Sequence, residues 1–366
     1  MNHEEVGRFW NGNAGAWTKL ARAGYDVYRD YLNTPAFFDM LPDVTGLSGL
    51  DIGCGEGHNT RLLARRGAHV TGIDIAETFI EHARQAEAEQ PVGIDYGVAS
   101  AVELPFSDTS FDFATGFMSL MDVPETDRVL TEAYRVLKPG GFLQFSIMHP
   151  CYDTPHRRNL RGERGLTYAV EVGGYFQNLD GQITEWLFGA APPHAKQGLP
   201  KFKTPRFTRT VSQWLNLLID TGFLLERIAE PRPSDATVLA CPDMQDAQVV
   251  AYFLHIRVRK PGQATAAFEK RLSEATWEKI CMLFPVEHHA EVATILENEC
   301  GNNLPFLEKL DKYRLERFRY AALKLSRGSV DELRKAVELA KIDWRDLLVA
   351  AGFADSLDAH THWEVK

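Results

Sequence analysis

Eight residues near the start of the chain, Leu50-Asp51-Ile52-Gly53-Cys54-Gly55-Glu56-Gly57, restrict its fold more than any other stretch. An apolar run leads into them and a helical pattern follows, which is a strand, a tight glycine turn and a helix start. Glycine reaches positive φ without steric cost and lets a ligand approach the backbone closely. The helix that follows offers N–H groups with no partner inside the helix. The stretch is therefore a binding loop, and the rest of the chain must say for what.

The downstream pattern alternates. Leu47 to Ile52 reads as a strand, Asn59 to Arg66 as a helix capped by Gly67, and Ala68 to Ile73 as a second strand ending at Asp74. Glu77 to Glu89 is a helix with one charged and one apolar face. Val92 to Val98 and Phe111 to Phe117 are strands. Glu125 to Leu137 is a helix running into Lys138-Pro139-Gly140-Gly141, and Phe142 to Met148 is a fifth strand ending at His149-Pro150. Such alternation implies βαβ units and a mainly parallel sheet. Ligands of open α/β sheets lie beyond the carboxyl ends of the strands, at the topological switch point. Asp51, Asp74, Phe117 and His149 all fall at predicted strand ends, so they are expected to converge on one crevice.

Two ligand classes use such a crevice. A dinucleotide fingerprint, GxGxxG, would place its third glycine where this chain has His58; here the third glycine comes one residue early, at Gly57. The loop also carries Asp51 and Glu56, which suit a ligand with an ammonium group better than a diphosphate. Asp74 is placed to accept from ribose hydroxyls, which fits both classes. With LDIGCGEG (50–57), GIDIA (72–76), LPFSDTSFDFATGFMSL (104–120) and LKPGGFLQFSI (137–147) in this order, the sequence resembles the class I S-adenosylmethionine-dependent methyltransferases of small-molecule type. The resemblance covers residues 47 to 150 directly. It continues more loosely through a helix and strand over Gln213 to Pro231 and a last strand over Val249 to Pro261.

The resemblance implies an α/β, Rossmann-like, doubly wound seven-stranded sheet whose final strand is reversed. It implies S-adenosylmethionine as cofactor and S-adenosylhomocysteine as product. Asp51, with the loop backbone of Gly53, Cys54, Gly55 and Gly57, would hold the methionine end. Asp74 would hold the ribose and Ile75 would pack on the adenine. The family often has an acid before the LPF segment, where this chain has Ser100; its hydroxyl can accept from the adenine amino group, and the backbone N–H of Ala101 can meet the ring. Phe117 would lie near the sulfonium, or else be a core aromatic.

Residues 4 to 40 read as a helical cap rich in aromatics, among which Tyr25 and Tyr28 are the candidates to face the ligand. Methyl transfer from a sulfonium needs an aligned acceptor and excluded water, and a general base helps when the acceptor is a hydroxyl. His149, at the end of the fifth strand, is the candidate base, because imidazole titrates near neutrality; the alternative is a histidine bonded locally beside Pro150. Tyr152 is placed to orient an acceptor, and Cys151 reads as a lining residue. Residues 150–207 form a long insertion with Tyr168, Tyr175, Phe176, Trp186, Phe188 and Phe202, and a hairpin pattern over Glu171 to Gln177. Long loops at a crevice mouth are commonly lids or substrate walls, so acceptor specificity is expected there and in the cap. The aromatics imply a small apolar or aromatic acceptor, methylated on oxygen in preference to nitrogen or carbon. Arg157-Arg158 reads as a solvated pair.

Composition bounds the remaining choices. The chain has 366 residues, 45% hydrophobic and 25% charged, with a formal charge of -10. An acidic balance disfavours a nucleic acid partner. Five scattered cysteines with no CxxC pair indicate free thiols in a reducing compartment. With a polar start and no run long enough to cross a bilayer, a cytoplasmic protein without a membrane partner is expected. Residues 1–46 are expected to form the cap, 47–262 the cofactor-binding domain, and 263–366 a helical appendage of its own. In the appendage, Pro285 is placed to open a helix that Gly301 closes, and Pro305 to Ser326 reads as a long helix. Ser329 to Glu332 reads as a capping box, and Asp343 as the cap of a helix ending at Gly352. The appendage is a candidate dimerisation surface for a homodimer, a docking module or a second lid. Glu287, His288, His289 and Glu291 match no zinc spacing, since HExxH puts two histidines one helical turn apart; no metal is expected. The rival readings are an RNA or protein methyltransferase recruited through the appendage, and a non-catalytic S-adenosylmethionine-binding protein.

Overall fold

The computed structural model describes residues 1–261, 272–300, 304, 312–356 and 358–365. The chain divides into two compact units, residues 1–262 and 263–366. In the first unit, parallel strands β1 (Ser48–Ile52), β2 (His69–Asp74), β3 (Asp95–Val98), β4 (Phe111–Phe117) and β5 (Leu137–Met148) are joined by strands β10 (Leu224–Ala229) and β11 (Phe253–Arg259). They form one seven-stranded sheet in the order β10-β11-β5-β4-β1-β2-β3. β11 runs antiparallel to both β5 and β10, the reversal that the sequence implies.

Helices α3 (His58–Arg65), α4 (Glu77–Glu89), α5 (Thr126–Val136) and α7 (Val211–Thr221) cross between strands; α1, α2 and α6 are His3–Arg22, Thr34–Met40 and Pro193–Lys196. One face of the sheet is dry: Leu50, Ile52, Ala114, Leu143, Phe145 and Ile256 are fully buried against α5 and α7. The other face carries a row of buried polar groups. Asp51 on β1 registers with Thr115 on β4, Thr115 with Gln144 on β5, and Gln144 with Arg257 on β11. Registered neighbours on a sheet share a face. This row is satisfied by the cap: Gln144 donates to Phe37 O at 2.8 Å, Arg257 to Met40 O.

Of the boundaries that differ from the expectation, two have a clear local reason. The third strand starts at Asp95, not Val92, because Glu87 Oε1 accepts from the backbone N–H groups of Val92, Gly93 and Ile94 at 2.6, 2.8 and 3.3 Å. Those three groups serve a carboxylate and leave the ladder. The fifth strand begins at Leu137 and takes in the Lys138-Pro139-Gly140-Gly141 turn. Phe111 pairs with Leu137 and Phe113 with Phe142, so the extra residues form a bulge, with Gly140 at φ 83°.

The cap is α1, a π-helical turn over Arg29–Asn33, and α2, with the chain reversing at Gly24. The insertion forms two hairpins, β6 (His156–Arg161) with β7 (Thr167–Gly173), and β8 (Gln182–Trp186) with β9 (Phe202–Arg206). Trp17 of α1 joins cap to insertion, with its ring 5.5, 4.9 and 4.8 Å from Trp186, Phe188 and Phe202. Asn13 adds a pair of bonds to the backbone of Lys203, at 3.0 Å to its O and 2.9 Å from its N. Tyr168 and Phe176, expected to line the acceptor wall, instead face solvent at 67% and 89% exposure.

In the second unit, helices over Glu274–Leu283, His289–Glu299, Lys312–Ser326, Val330–Ile342 and Trp344–Ala351 enclose their own core, with Ile280, Leu296, Leu323, Val337 and Leu347 fully buried. Ser329 accepts from Glu332 N, Asp343 from Arg345 N, and Gly352 closes the last helix in the left-handed conformation. Pro285 precedes a short 3₁₀ turn over Val286–His288 rather than opening the helix itself. Gly301 and Pro305 lie outside the described residues.

The close packing of β1 on β4 is testable. A Cβ on Gly49 would lie 2.1 Å from Cζ of Phe113, which is itself fully buried and stacked on Phe142. Gly49→Ala is expected to cost about 1–3 kcal/mol by overpacking, read as a lower melting temperature and an unchanged far-ultraviolet spectrum.

Candidate active site

The glycine turn bends because β1 ends beside β2: Gly53 N and Cys54 N both donate to Ile73 O, at 2.8 and 2.9 Å. Gly55, at φ 55°, is the open point of the turn. A Cβ there would meet nothing within 4 Å, whereas one on Gly53 would meet Ser119 and one on Gly57 would meet Tyr96. A ligand can therefore come against the backbone at Gly55. Cys54 contributes backbone only. Its side chain packs with Ile80, Ala83 and Tyr96, and burial pushes the thiol well above its ordinary pKa.

Asp51 and Asp74 flank the turn. Each oxygen of Asp51 accepts one bond: Oδ2 from Thr60 Oγ1 at 2.7 Å and Oδ1 from Thr115 Oγ1 at 2.8 Å. With 1% exposure, Asp51 shapes the turn and supplies negative field beside it. Asp74 accepts from Gly55 N at 2.9 Å and Ala76 N at 2.8 Å. Each of its oxygens keeps a further lone pair for a ligand hydroxyl. Burial raises both carboxyls to about 6, against the lowering effect of those hydrogen bonds. Two carboxyls held at that cost favour a cation beside them.

The other expected contacts divide. Ile75 lies under α1, where a Cβ on Gly7 would come within 3.0 Å of it. Ser100 Oγ accepts from Val102 N at 3.4 Å, within its own turn, and Ala101 packs on the core beside it. Phe117 packs at a tilt beneath α2, its ring 3.9 Å from that of Phe37 and 5.6 Å from that of Phe38, on the polar face of the sheet. Tyr25 is half-buried against the Trp17 cluster. The ring of Tyr28 stacks on Tyr252 at 5.1 Å and its hydroxyl donates to Asp243 O at 3.0 Å.

His149 is buried, and both ring nitrogens are engaged. Nδ1 accepts from Cys151 N at 3.1 Å, which puts the proton on Nε2, and Nε2 donates to Glu230 Oε1 at 2.8 Å. With both ring nitrogens so engaged, His149 fastens the start of the insertion, which is the locally bonded alternative to a base that the sequence leaves open. Tyr152 stacks on Tyr252 at 3.8 Å, beneath the guanidinium of Arg157 at 4.0 Å. Burial raises its hydroxyl above the ordinary range. Arg158 is in an exposed ion pair with Glu171 at 2.9 Å.

Glu56, which the sequence offers as an acid for an ammonium, is instead 7% exposed and paired with Arg22 at 3.0 Å and Arg29 at 3.5 Å, neither foreseen, which ties the cap to the glycine turn. Several other residues at the site were not singled out by sequence. Asp26, beside Arg29, is raised to about 6 by burial. Tyr252 completes a stack with Tyr28 and Tyr152, packed near Leu32, Met118, Met148 and Met244. Tyr252 arrives there because β11 is reversed, which brings its first residues to the carboxyl edge of the parallel strands. Asp246 accepts from Asn159, Arg161 and Thr167 at 2.7, 2.7 and 2.6 Å, anchoring hairpin β6–β7 to the segment before β11. Among the described residues no group of three or more His, Cys, Asp or Glu could hold a metal ion, and no helix is long and apolar enough to cross a membrane.

A mainly parallel doubly wound sheet, an open glycine turn after β1 and an acid ending β2 define a Rossmann-like cofactor-binding domain. A methyltransferase domain model matches residues 50–145. An S-adenosylmethionine-dependent methyltransferase from Mesorhizobium loti aligns at 30% identity and TM-score 0.50, over 62% of this chain and 96% of that one. The chain thus belongs to the class I S-adenosylmethionine-dependent methyltransferases. Fatty-acid O-methyltransferase of Mycolicibacterium smegmatis is 33% identical over 148 residues, 38% of this chain and 53% of that protein. Ubiquinone biosynthesis O-methyltransferase of Hahella chejuensis is 39% identical over 114 residues, 31% of this chain and 48% of that protein. The chain thus spans about half the length of these curated relatives. The residues present fit S-adenosylmethionine, whose ammonium and sulfonium are cations suited to the two buried carboxyls, whose ribose suits Asp74, and whose approach is open at Gly55.

The raised carboxyl of Asp51 predicts a pH signature. Its folded pKa lies above its ordinary value, so its contribution to stability is full below that ordinary value and is lost as pH rises through about 6. Against Asp51→Asn, which is neutral throughout, the melting temperature of the cofactor-free wild type is expected to fall by a few degrees between about pH 5 and about pH 7.5. A constant difference would show that Asp51 titrates normally.

Proposed function

We propose that this chain transfers a methyl group from S-adenosylmethionine to an oxygen atom of a small apolar or aromatic acceptor. The observation that carries the reading is the aromatic and methionine wall beyond β4 and β5, with Tyr28, Tyr152 and Tyr252 stacked beside Met118 and Met148. Flat rings and polarisable thioethers suit an apolar or aromatic partner. The names of the relatives support oxygen as the acceptor atom, since two of them are O-methyltransferases. The net charge of -10 supports a small molecule over RNA.

The chemistry supplied by the cofactor is an activated methyl on sulfur. The protein's part is to hold both partners in line and keep water out. Asp74, the Gly53–Gly57 backbone and the field of Asp51 would hold the cofactor; the cap and the insertion would wall the acceptor.

The test is incubation of the full chain with methyl-labelled S-adenosylmethionine and either catechol or octanoic acid, reading label in the organic extract and S-adenosylhomocysteine formed. Transfer to at least one is expected. No transfer to either, with cofactor binding seen by calorimetry, would overturn the acceptor reading. Asp74→Ala is expected to weaken cofactor binding about 10–100-fold, the worth of a charge-assisted hydrogen bond; unchanged affinity would remove Asp74 from the site.

A further inference from the structure

With His149 committed on both nitrogens, a base for a hydroxyl acceptor has to come from elsewhere at the carboxyl edge. The turn after β4 provides one. Phe117 ends the strand, Met118 takes φ 54°, and a 3₁₀ turn over Leu120–Asp122 follows. A positive φ at a non-glycine residue is a strained conformation that the surroundings must enforce. Here they do. Ser119 Oγ donates to Ile52 O at 2.6 Å, and its Cβ fills the space that a side chain on Gly53 would need. Two residues on, Met148 N points at Met121 Sδ, 3.2 Å away. The turn is thus pinned at one end to the glycine loop and at the other to the end of β5, spanning the edge where the cofactor's methionine end and an acceptor have to meet.

Asp122 closes this turn. Its backbone N–H bonds to Ser119 O at 3.0 Å. Its carboxyl is partly exposed and, among the described residues, has no hydrogen bond or ion pair. The neighbouring charge is Asp153, at the start of the insertion, which is itself paired with Arg206 of β9. Further along the turn Glu125 pairs with His3, and Arg209 donates to Pro124 O. Asp122 is therefore, among the described residues of this turn, a carboxyl without a hydrogen bond or ion pair of its own. Its surroundings push the same way: burial, then the charge of Asp153, raise it well above the ordinary carboxylate range. A carboxyl so raised moves toward the range in which a general base works well near neutral pH.

We propose that Asp122 is the general base that takes the proton from the acceptor hydroxyl. The proposal rests on the O-methyl transfer reading above. As the acceptor oxygen bonds to the methyl carbon, the carbon–sulfur bond breaks and its electron pair stays on sulfur, leaving a neutral thioether. The hydroxyl proton passes to a carboxylate oxygen of Asp122 and from there to water. No oxidant, reductant or further reactant is needed.

Catechol and octanoate separate the base from mere packing. Catechol must lose a proton to become a good nucleophile, whereas octanoate is already ionised near neutral pH, as any ordinary carboxyl is. Asp122→Asn is expected to lower transfer to catechol about 10²–10⁴-fold and to leave any transfer to octanoate within a few-fold, with cofactor affinity unchanged by calorimetry. Undiminished transfer to catechol, or an equal loss on both acceptors, would overturn the assignment. A second reading needs no acceptor. In full chain labelled at the aspartate carboxyl carbons and bound to S-adenosylhomocysteine, the resonance that Asp122→Asn removes should titrate well above about 4. A resonance titrating near about 4 would overturn the base even if both acceptors fail. That double failure, with normal cofactor binding, would count against the acceptor reading instead.

Discussion

A single buried carboxyl holds the binding edge together. Asp51 joins β1 to β4 through Thr115 and to α3 through Thr60, on the face of the sheet otherwise closed by the cap. An ionised carboxyl in such a place is costly, and the two threonine hydroxyls offset part of that cost. The strand end, the first turn of α3 and the adjacent β4 are thereby fixed relative to one another. The glycine turn inherits its shape from that arrangement, as does the strained turn after β4, which rests on the same loop through Ser119.

The stability cost of that edge is the reason it favours a cation. Asp51 and Asp74 are both raised, and neither is paired with a basic side chain. The basic groups nearby serve Glu56 instead, through Arg22 and Arg29. The cap thus neutralises the loop's outer acid and leaves the inner two for a ligand. A protein organised for stability alone would have paired them.

What the sequence showed clearly was whatever is local. Strand–turn–helix at Leu50 to Gly57, the acid ending β2 and the order of the later segments are all patterns within a few residues, and the sheet with its reversed last strand follows from them. What it hid depends on chain segments far apart. Thr115 meets Asp51 across 64 positions, and Tyr252 reaches Tyr28 and Tyr152 only because β11 is reversed. His149 sits at a strand end as read, but whether an imidazole has a free nitrogen is decided by Glu230, 81 residues away. Asp122 stood in the open, five residues past the end of β4. Its significance depends on the bend at Met118, which nothing in the local residue pattern announces.

The contact between Trp17 and the three rings of the insertion couples two parts of the chain that are far apart in sequence. Trp17 lies on α1, which covers Ile75, and Trp186, Phe188 and Phe202 lie on or beside the hairpin of β8 and β9. A displacement of α1 would either carry that hairpin with it or part the four rings, so the cap and the second hairpin of the insertion behave as one body.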